Sequence, residues 1–235
     1  MWKFSTVQRL EKRVEKLTQH FDSCVNHFNK IQKFSGPSLY FHKKTIQMHS
    51  NQNVNDLIQN ELFLDYIYAT LASWGMHRMG PGNTKLTERD IFRTSILHEK
   101  ENIEKLYGYE IDMISDDQLP QISNDIYRII SHLQIGIGET KIVAGSKTLH
   151  HILPNLVPPI DGEYTMKFFF NNRQTALGQG GNIAYNEMYK HFFKIAKICK
   201  PAILTYIGSD MNTSKTKVID NAIVGYCDLF KDNMD

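Results

Sequence analysis

The most regular pattern in the chain lies at its start. Val7, Leu10, Val14, Leu17, Phe21, Cys24, Phe28 and Ile31 recur in alternating steps of three and four, an apolar stripe of heptad spacing held for four repeats. The spacing predicts a long helix ended by Phe34-Ser35-Gly36-Pro37. Two readings of the stripe are open. It can be a coiled-coil seam joining two copies into a homodimer through residues 7–31, or one face of an amphipathic helix docked on the body of the same chain. Bulky Phe at two seam positions fits a docking groove better than a tight two-stranded seam.

Helical periodicity continues through the chain. Asn60 to Trp74 puts Leu64, Ile67, Tyr68 and Leu71 on one face and is closed by Gly75 and Gly80-Pro81-Gly82. Thr87-Glu88-Arg89-Asp90 has the form of a capping box, with Asp in place of Glu, opening a helix to about Leu106. Further helices are expected over Ser123–Leu133, from near Ser146 to Leu153 with Pro154 as the stop, over Asn186–Ile198, and over Thr213–Phe230. Almost no segment alternates with period two, so the expected fold is mainly α, a multi-helical globular domain with a long N-terminal amphipathic helix. The organisation expected is an arm over residues 1–35, a soft boundary near 34–55, and a single helical body over 54–235.

Composition narrows the class. A chain of 235 residues with 41% hydrophobic and 22% charged residues buries a sizeable core, which excludes a disordered chain. No apolar run approaches a membrane span, and charged residues follow Met1-Trp2 too early for a signal-peptide core. Cys24, Cys199 and Cys227 lie far apart, giving neither a disulfide framework nor a metal-ligand spacing. A soluble, cytoplasmic protein without cofactor or metal is expected. Net charge is +2, unevenly spread. Residues 1–50 hold nine Lys/Arg against three Asp/Glu, 51–125 six against thirteen, and 126–235 twelve against nine. The basic ends can face an anionic partner or pair with the acidic middle.

Candidate chemistry concentrates between Ile142 and Asp161. A turn ending in Gly145 is expected to feed a helix starting at Ser146, whose exposed amides can take a phosphate oxygen. Lys147 in that first turn opposes the helix dipole unless an anion is near. Asp161, after Pro158-Pro159, is either a helix cap or a carboxylate of a site. Elsewhere, Trp74-Gly75-Met76-His77-Arg78 offers an aromatic and two cations, and His150 or His151 can serve as a base beside Asp161. Adjacent histidines point about 100° apart on a helix and do not chelate one metal. His98-Glu99 begins a zinc-protease motif, but Asn102 stands where the second His belongs. Leu177-Gly178-Gln179-Gly180-Gly181-Asn182 reads as a connection, Tyr189–Lys194 as a core helix face, and Asn212–Lys217 as a capped helix start offering Lys215 and Lys217 to a phosphate.

Gly145-Ser146-Lys147-Thr148 followed by an apolar turn, Pro and Asp161 resembles the helix-hairpin-helix DNA glycosylases over about residues 142–165, with the hairpin-like element spanning about 136–165. The resemblance implies an all-helical fold, double-stranded DNA as partner, and phosphate contacts at Gly145, Ser146 and Thr148. It also implies Lys147 as a Schiff-base nucleophile, Asp161 as the assisting carboxylate, and a target base turned out into a pocket. Tyr68–Gly80 and Lys217–Tyr226 are similar to segments of a protein family without an assigned activity. Three functions therefore compete: a DNA-binding, glycosylase-like protein; a non-catalytic interaction module using the N-terminal stripe; and an unrelated small-molecule enzyme built on Lys147, Asp161 and a neighbouring His.

Overall fold

The computed structural model describes residues 4–50, 52–76, 85–136, 141–171 and 181–231. Among them are thirteen α-helices and no strand, so the fold is mainly α and multi-helical. In order they are α1 Phe4–Gln19, α2 Phe21–Ile31, α3 Gly36–Met48, α4 Val54–Gln59, α5 Glu61–Leu71, α6 Arg89–His98, α7 Lys100–Leu106, α8 Leu119–His132, α9 Ile142–Ile152, α10 Tyr164–Phe170, α11 Gly181–Ile198, α12 Lys200–Tyr206 and α13 Lys215–Leu229. No described helix is long and apolar enough to cross a membrane.

The heptad stripe is not one helix and is not free for a partner. His20 interrupts it between α1 and α2, and Leu10, Val14, Leu17, Phe21, Cys24 and Phe28 are all buried in the chain's own core. α2 runs along α13, and α1 packs on α10, α11 and α13. A seam already filled by its own chain cannot also zip two copies together, so of the two readings the packing supports docking over a homodimer through residues 7–31. At the crossing of α2 and α13, Gly225 brings backbone against backbone. A Cβ there would overlap the Cys24 carbonyl oxygen and lie 2.9 Å from the Cys24 carbonyl carbon. Between the arm and α4, where the sequence suggested a soft boundary, the chain folds as α3, which packs against α5 and α9.

Several boundaries follow from local chemistry. Asn60 caps α5, its side-chain oxygen accepting the amides of Leu62 and Phe63. α5 runs into a wide turn over Ala72–Met76, broken at Trp74 (φ −86°, ψ 20°) and at Gly75, whose φ of +83° suits a residue without a side chain. Thr87 does not cap α6, because its hydroxyl is spent on the Gln134 carbonyl, and the helix breaks at Glu99 before α7. α8 starts a turn before Ser123, with Pro120 in its first turn, where a missing N–H costs nothing.

Two helices, α9 and α13, are buried nearly all round. An apolar helix in that position needs no explanation, but these carry Ser146, Lys147, Thr148, His150 and His151, and Lys215, Thr216, Lys217, Asp220 and Asn221. Buried polar groups are costly unless each finds a partner. Where those partners lie defines the site.

Candidate active site

Lys147 on α9 and Lys217 on α13 reach the same cavity of about 150 Å³, lined also by Asp161, Asp220, Trp74, Phe28, Phe34, Pro159, Tyr164 and Val224. Lys147 Nζ stands 3.6 Å from Asp161 Oδ2, and Lys217 Nζ donates to Asp220 Oδ2 at 2.6 Å within one helical turn. Trp74 roofs both amines, its ring centre 5.8 Å from Lys147 Nζ and 5.5 Å from Lys217 Nζ. The rings of Phe34 and Phe28 lie 5.7 and 5.9 Å from Lys217 Nζ. These distances are within cation–π range. The turn after α5 sets the indole in place, with Nε1–H donating to the Ser38 carbonyl.

Lys147, Asp161 and Asp220 are driven in different directions. Burial pushes the Lys147 ammonium below its ordinary pKa; the charge of Lys217 adds to this, while Asp161 and Asp220 oppose it without restoring it. Burial alone would raise Asp161, but Lys147 and the amides of Tyr164 and Glu163 outweigh it and hold the carboxylate low. Asp220 goes the other way: burial raises it, and Lys217 offsets only part of the rise. A lysine eased toward its free amine, one stable carboxylate and one carboxyl held above its usual range form a divided acid–base set.

Asp161 serves two purposes. Its Oδ1 accepts the amides of Glu163 and Tyr164 ahead of α10, as a cap does, and its Oδ2 faces Lys147. The cap and the site carboxylate are one residue.

Gly145, Ser146 and Thr148 are not placed as a phosphate cradle. α9 begins at Ile142, a turn earlier than Ser146, so the Gly145 amide is already bonded to the Lys141 carbonyl. Ser146 donates to Val143 O and accepts the Ile160 amide, Thr148 donates to Ala144 O, and both are buried. Gly145 lets α8 approach: a Cβ there would sit 2.9 Å from Ile130 Cγ2. Lys147 consequently lies in the second turn, where the dipole argument has lapsed. Lys215 is also spoken for, clamped by Glu110 and Asp112 at 2.6 Å each. Lys217 does face a ligand-sized space, the one it shares with Lys147.

His150 and His151 do not line the cavity. With His42 they form a buried cluster behind Trp74, whose ring centre is 5.2 Å from His42 and 5.3 Å from His151. His151 Nδ1–H donates to Lys147 O, its Nε2 accepts from His42 Nδ1–H at 3.0 Å, and His42 Nε2 accepts the Thr213 hydroxyl. His42 and His151 are satisfied as neutral tautomers, while His150 Nδ1–H donates to Val157 O and its buried Nε2 has no hydrogen-bond partner among the described residues. Burial first, then mutual repulsion in His42 and His150, holds all three below the ordinary histidine value, His151 at about 4. Among the described residues no three His, Cys, Asp or Glu side chains converge as metal ligands. Glu99 is buried beneath His98, His132 and Asn102, which share its carboxylate. Tyr189, Phe192 and Phe193 are core, as their spacing suggests. His77, Arg78, Gly178 and Gly180 lie outside the described residues.

No family model, no curated protein and no solved structure matches the chain. Its chemistry is therefore read from the residues themselves. Trp74 was offered by the sequence as a candidate aromatic; Asp220, Phe28 and Phe34 were not anticipated as site residues. The one signal for Asp220 was its three-residue spacing from Lys217, which puts both on one helical face.

Proposed function

We propose that this cavity carries amine-based covalent chemistry, with Lys147 as nucleophile and Asp161 as its proton partner. The observation that carries the reading is the pairing of Lys147 Nζ and Asp161 Oδ2, 3.6 Å apart on one aromatic-walled cavity. A lysine becomes a Schiff-base nucleophile when burial and a second cation ease its proton away, and Lys147 has both. In this role Nζ attacks an aldehyde carbon, and the carbonyl oxygen leaves as water. Asp161 is placed to carry protons between amine and departing oxygen.

The substrate we propose is the ring-opened deoxyribose of an abasic site in double-stranded DNA, in keeping with the resemblance around Lys147 and Asp161. The test is borohydride trapping on an abasic duplex. A covalent adduct on the wild-type protein that is lost in Lys147→Gln is expected, while an adduct retained in that variant removes Lys147 from the mechanism. The cavity's volume of about 150 Å³, well below the roughly 300–1,000 Å³ of pockets that take drug-sized ligands, favours a second form of the same reading, in which a small free aldehyde is the substrate.

A further inference from the structure

The proposed amine chemistry uses Lys217 only as a neighbouring charge, and its surroundings suggest a further task. An ammonium has three N–H donors. Among the described residues, Lys217 Nζ has a single hydrogen-bond acceptor, Asp220 Oδ2, and Lys147 Nζ has only Asp161 Oδ2 at 3.6 Å. Apart from Tyr164, the other side chains around the space are Phe28, Phe34, Trp74, Pro159 and Val224, which offer no oxygen to the remaining donors. A buried ammonium with unfilled donors facing an apolar-walled space calls for an anionic oxygen.

We propose that the cavity selects a carbonyl compound bearing an anionic group, a carboxylate or a phosphate, which Lys217 binds while Lys147 takes the carbonyl carbon. The inference rests on the Schiff-base reading of Lys147 and adds the class of substrate. Lys217 is suited to the task because Asp220, on the same helix, fixes its Nζ at the cavity wall. In the covalent step the Lys147 nitrogen lone pair forms the C–N bond, and the carbonyl oxygen departs as water with both amine protons. Added borohydride then delivers hydride to the imine carbon.

The experiment compares two aldehydes of similar size, glyoxylate and neutral glycolaldehyde, by the rate of borohydride-trapped adduct at Lys147 mapped by peptide mass. N-acetyl-lysine under the same conditions supplies the intrinsic ratio. The wild-type protein is expected to prefer glyoxylate by at least about tenfold beyond that intrinsic ratio, the scale of one charge-assisted hydrogen bond. Lys217→Met should bring the ratio back to that of N-acetyl-lysine, and Lys217→Arg should keep most of the preference. Because a ratio is read, any change that Lys217→Met makes in Lys147's proton affinity cancels. A wild-type ratio equal to that of N-acetyl-lysine overturns the inference, whatever the folding of the variants, and so does a preference that survives in a folded Lys217→Met protein. Absence of any adduct at Lys147 overturns the amine chemistry itself. Glycolaldehyde phosphate and an abasic duplex, run alongside, separate a free phosphate ester from a nucleic-acid phosphate as the source of the anion.

Discussion

Gly225→Ala tests the core and the site together. Helix propensity alone makes this change favourable, by about 1 kcal/mol at an internal helical position. The structure predicts the opposite sign. A Cβ at Gly225 overlaps the Cys24 carbonyl oxygen and meets the Cys24 carbonyl carbon at 2.9 Å and the Phe28 nitrogen at 3.2 Å. All three are backbone atoms, so no rotamer change relieves them. Restoring the usual carbon–carbon separation of about 3.7 Å requires α2 and α13 to part by roughly 0.8 Å or more, enough to forfeit a quarter to a half of the dispersion energy across the gap. Overpacking of this kind costs about 1–3 kcal/mol, and Phe21, Cys24 and Phe28 on α2 lose contact with α13 as well. A net loss of roughly 3 kcal/mol corresponds to a drop in Tm of about 6–12 °C for a chain of this size. The assay is urea and thermal unfolding followed by far-UV circular dichroism, with Gly145→Ala as comparison. There the contacts are looser, Ile130 Cγ2 at 2.9 Å and the Ile130 carbonyl oxygen at 3.2 Å with no overlap as close as at Cys24, so a smaller loss is expected. A Gly225→Ala protein as stable as wild type would refute the close crossing of α2 and α13, and with it the placement of Phe28 against Lys217.

Other outcomes follow from the same packing. The histidine cluster should make the fold acid-labile. His42, His150 and His151 are held below their unfolded value of 6.5, so the unfolded chain binds more protons and stability falls as pH drops from 6.5 toward the folded value, about 4 for His151. The loss by pH 5 is roughly 2 kcal/mol for each such histidine. Urea midpoints between pH 7 and 5 should show it, and a flat profile would mean that these rings are not buried neutral. Lys215→Met should destabilise by about 3 kcal/mol, because it strips the buried Asp112 of its closest cation and leaves Lys200 at 3.0 Å; an unchanged urea midpoint would contradict the clamp. Cys24, Cys199 and Cys227, pushed up to about 12 chiefly by burial, should resist a thiol reagent at pH 8 until the protein unfolds. Rapid labelling of the native protein would place at least one of them at the surface. Asp161→Asn should keep most of the cap on α10, since an amide oxygen still accepts the Glu163 and Tyr164 amides, yet slow trapping at Lys147. A large fall in Tm would show that the carboxylate serves folding first.

The fold class was legible because apolar residues repeat at helical spacing almost throughout, and the identity of the partner face was not. The stripe from Leu10 to Phe28 reads alike whether a second copy or the chain's own α13 covers it; only three-dimensional placement distinguishes them. Boundaries failed where side chains had other business. Thr87 has the sequence of a cap, but its hydroxyl goes to Gln134, 47 residues away. Ser146 has the chemistry of a cap, but it sits inside α9 and serves the Ile160 amide. The pairing of Lys147 with Asp161 could be posed from sequence because the two lie close along the chain. Lys217, Asp220, Trp74, Phe28 and Phe34 join them from α13, from the turn after α5, and from α2 and the segment following it. No local pattern connects those segments.

The arrangement of charge also bears on what the site is for. A tightly bonded pair such as Lys217–Asp220, buried at both ends, contributes little net stability after desolvation, and apolar replacements of similar volume often do as well. Its retention on α13 is better explained by what it does to its neighbours. Lys217 repels the proton on Lys147, while Asp220, its partner, remains above the ordinary carboxyl range. Removing the pair as a unit, with Lys217→Met and Asp220→Leu together, therefore separates two roles that single variants confuse. If the pair is structural, the double variant loses stability and Lys147 keeps its titration. If it is electrostatic, stability is held or raised while the pH midpoint for trapping at Lys147 moves downward, because Asp220, whose charge raises Lys147 more than Lys217 lowers it, has gone with its partner. The geometry around Trp74 supports the second outcome, and a midpoint that stays in place in a folded double variant would defeat it.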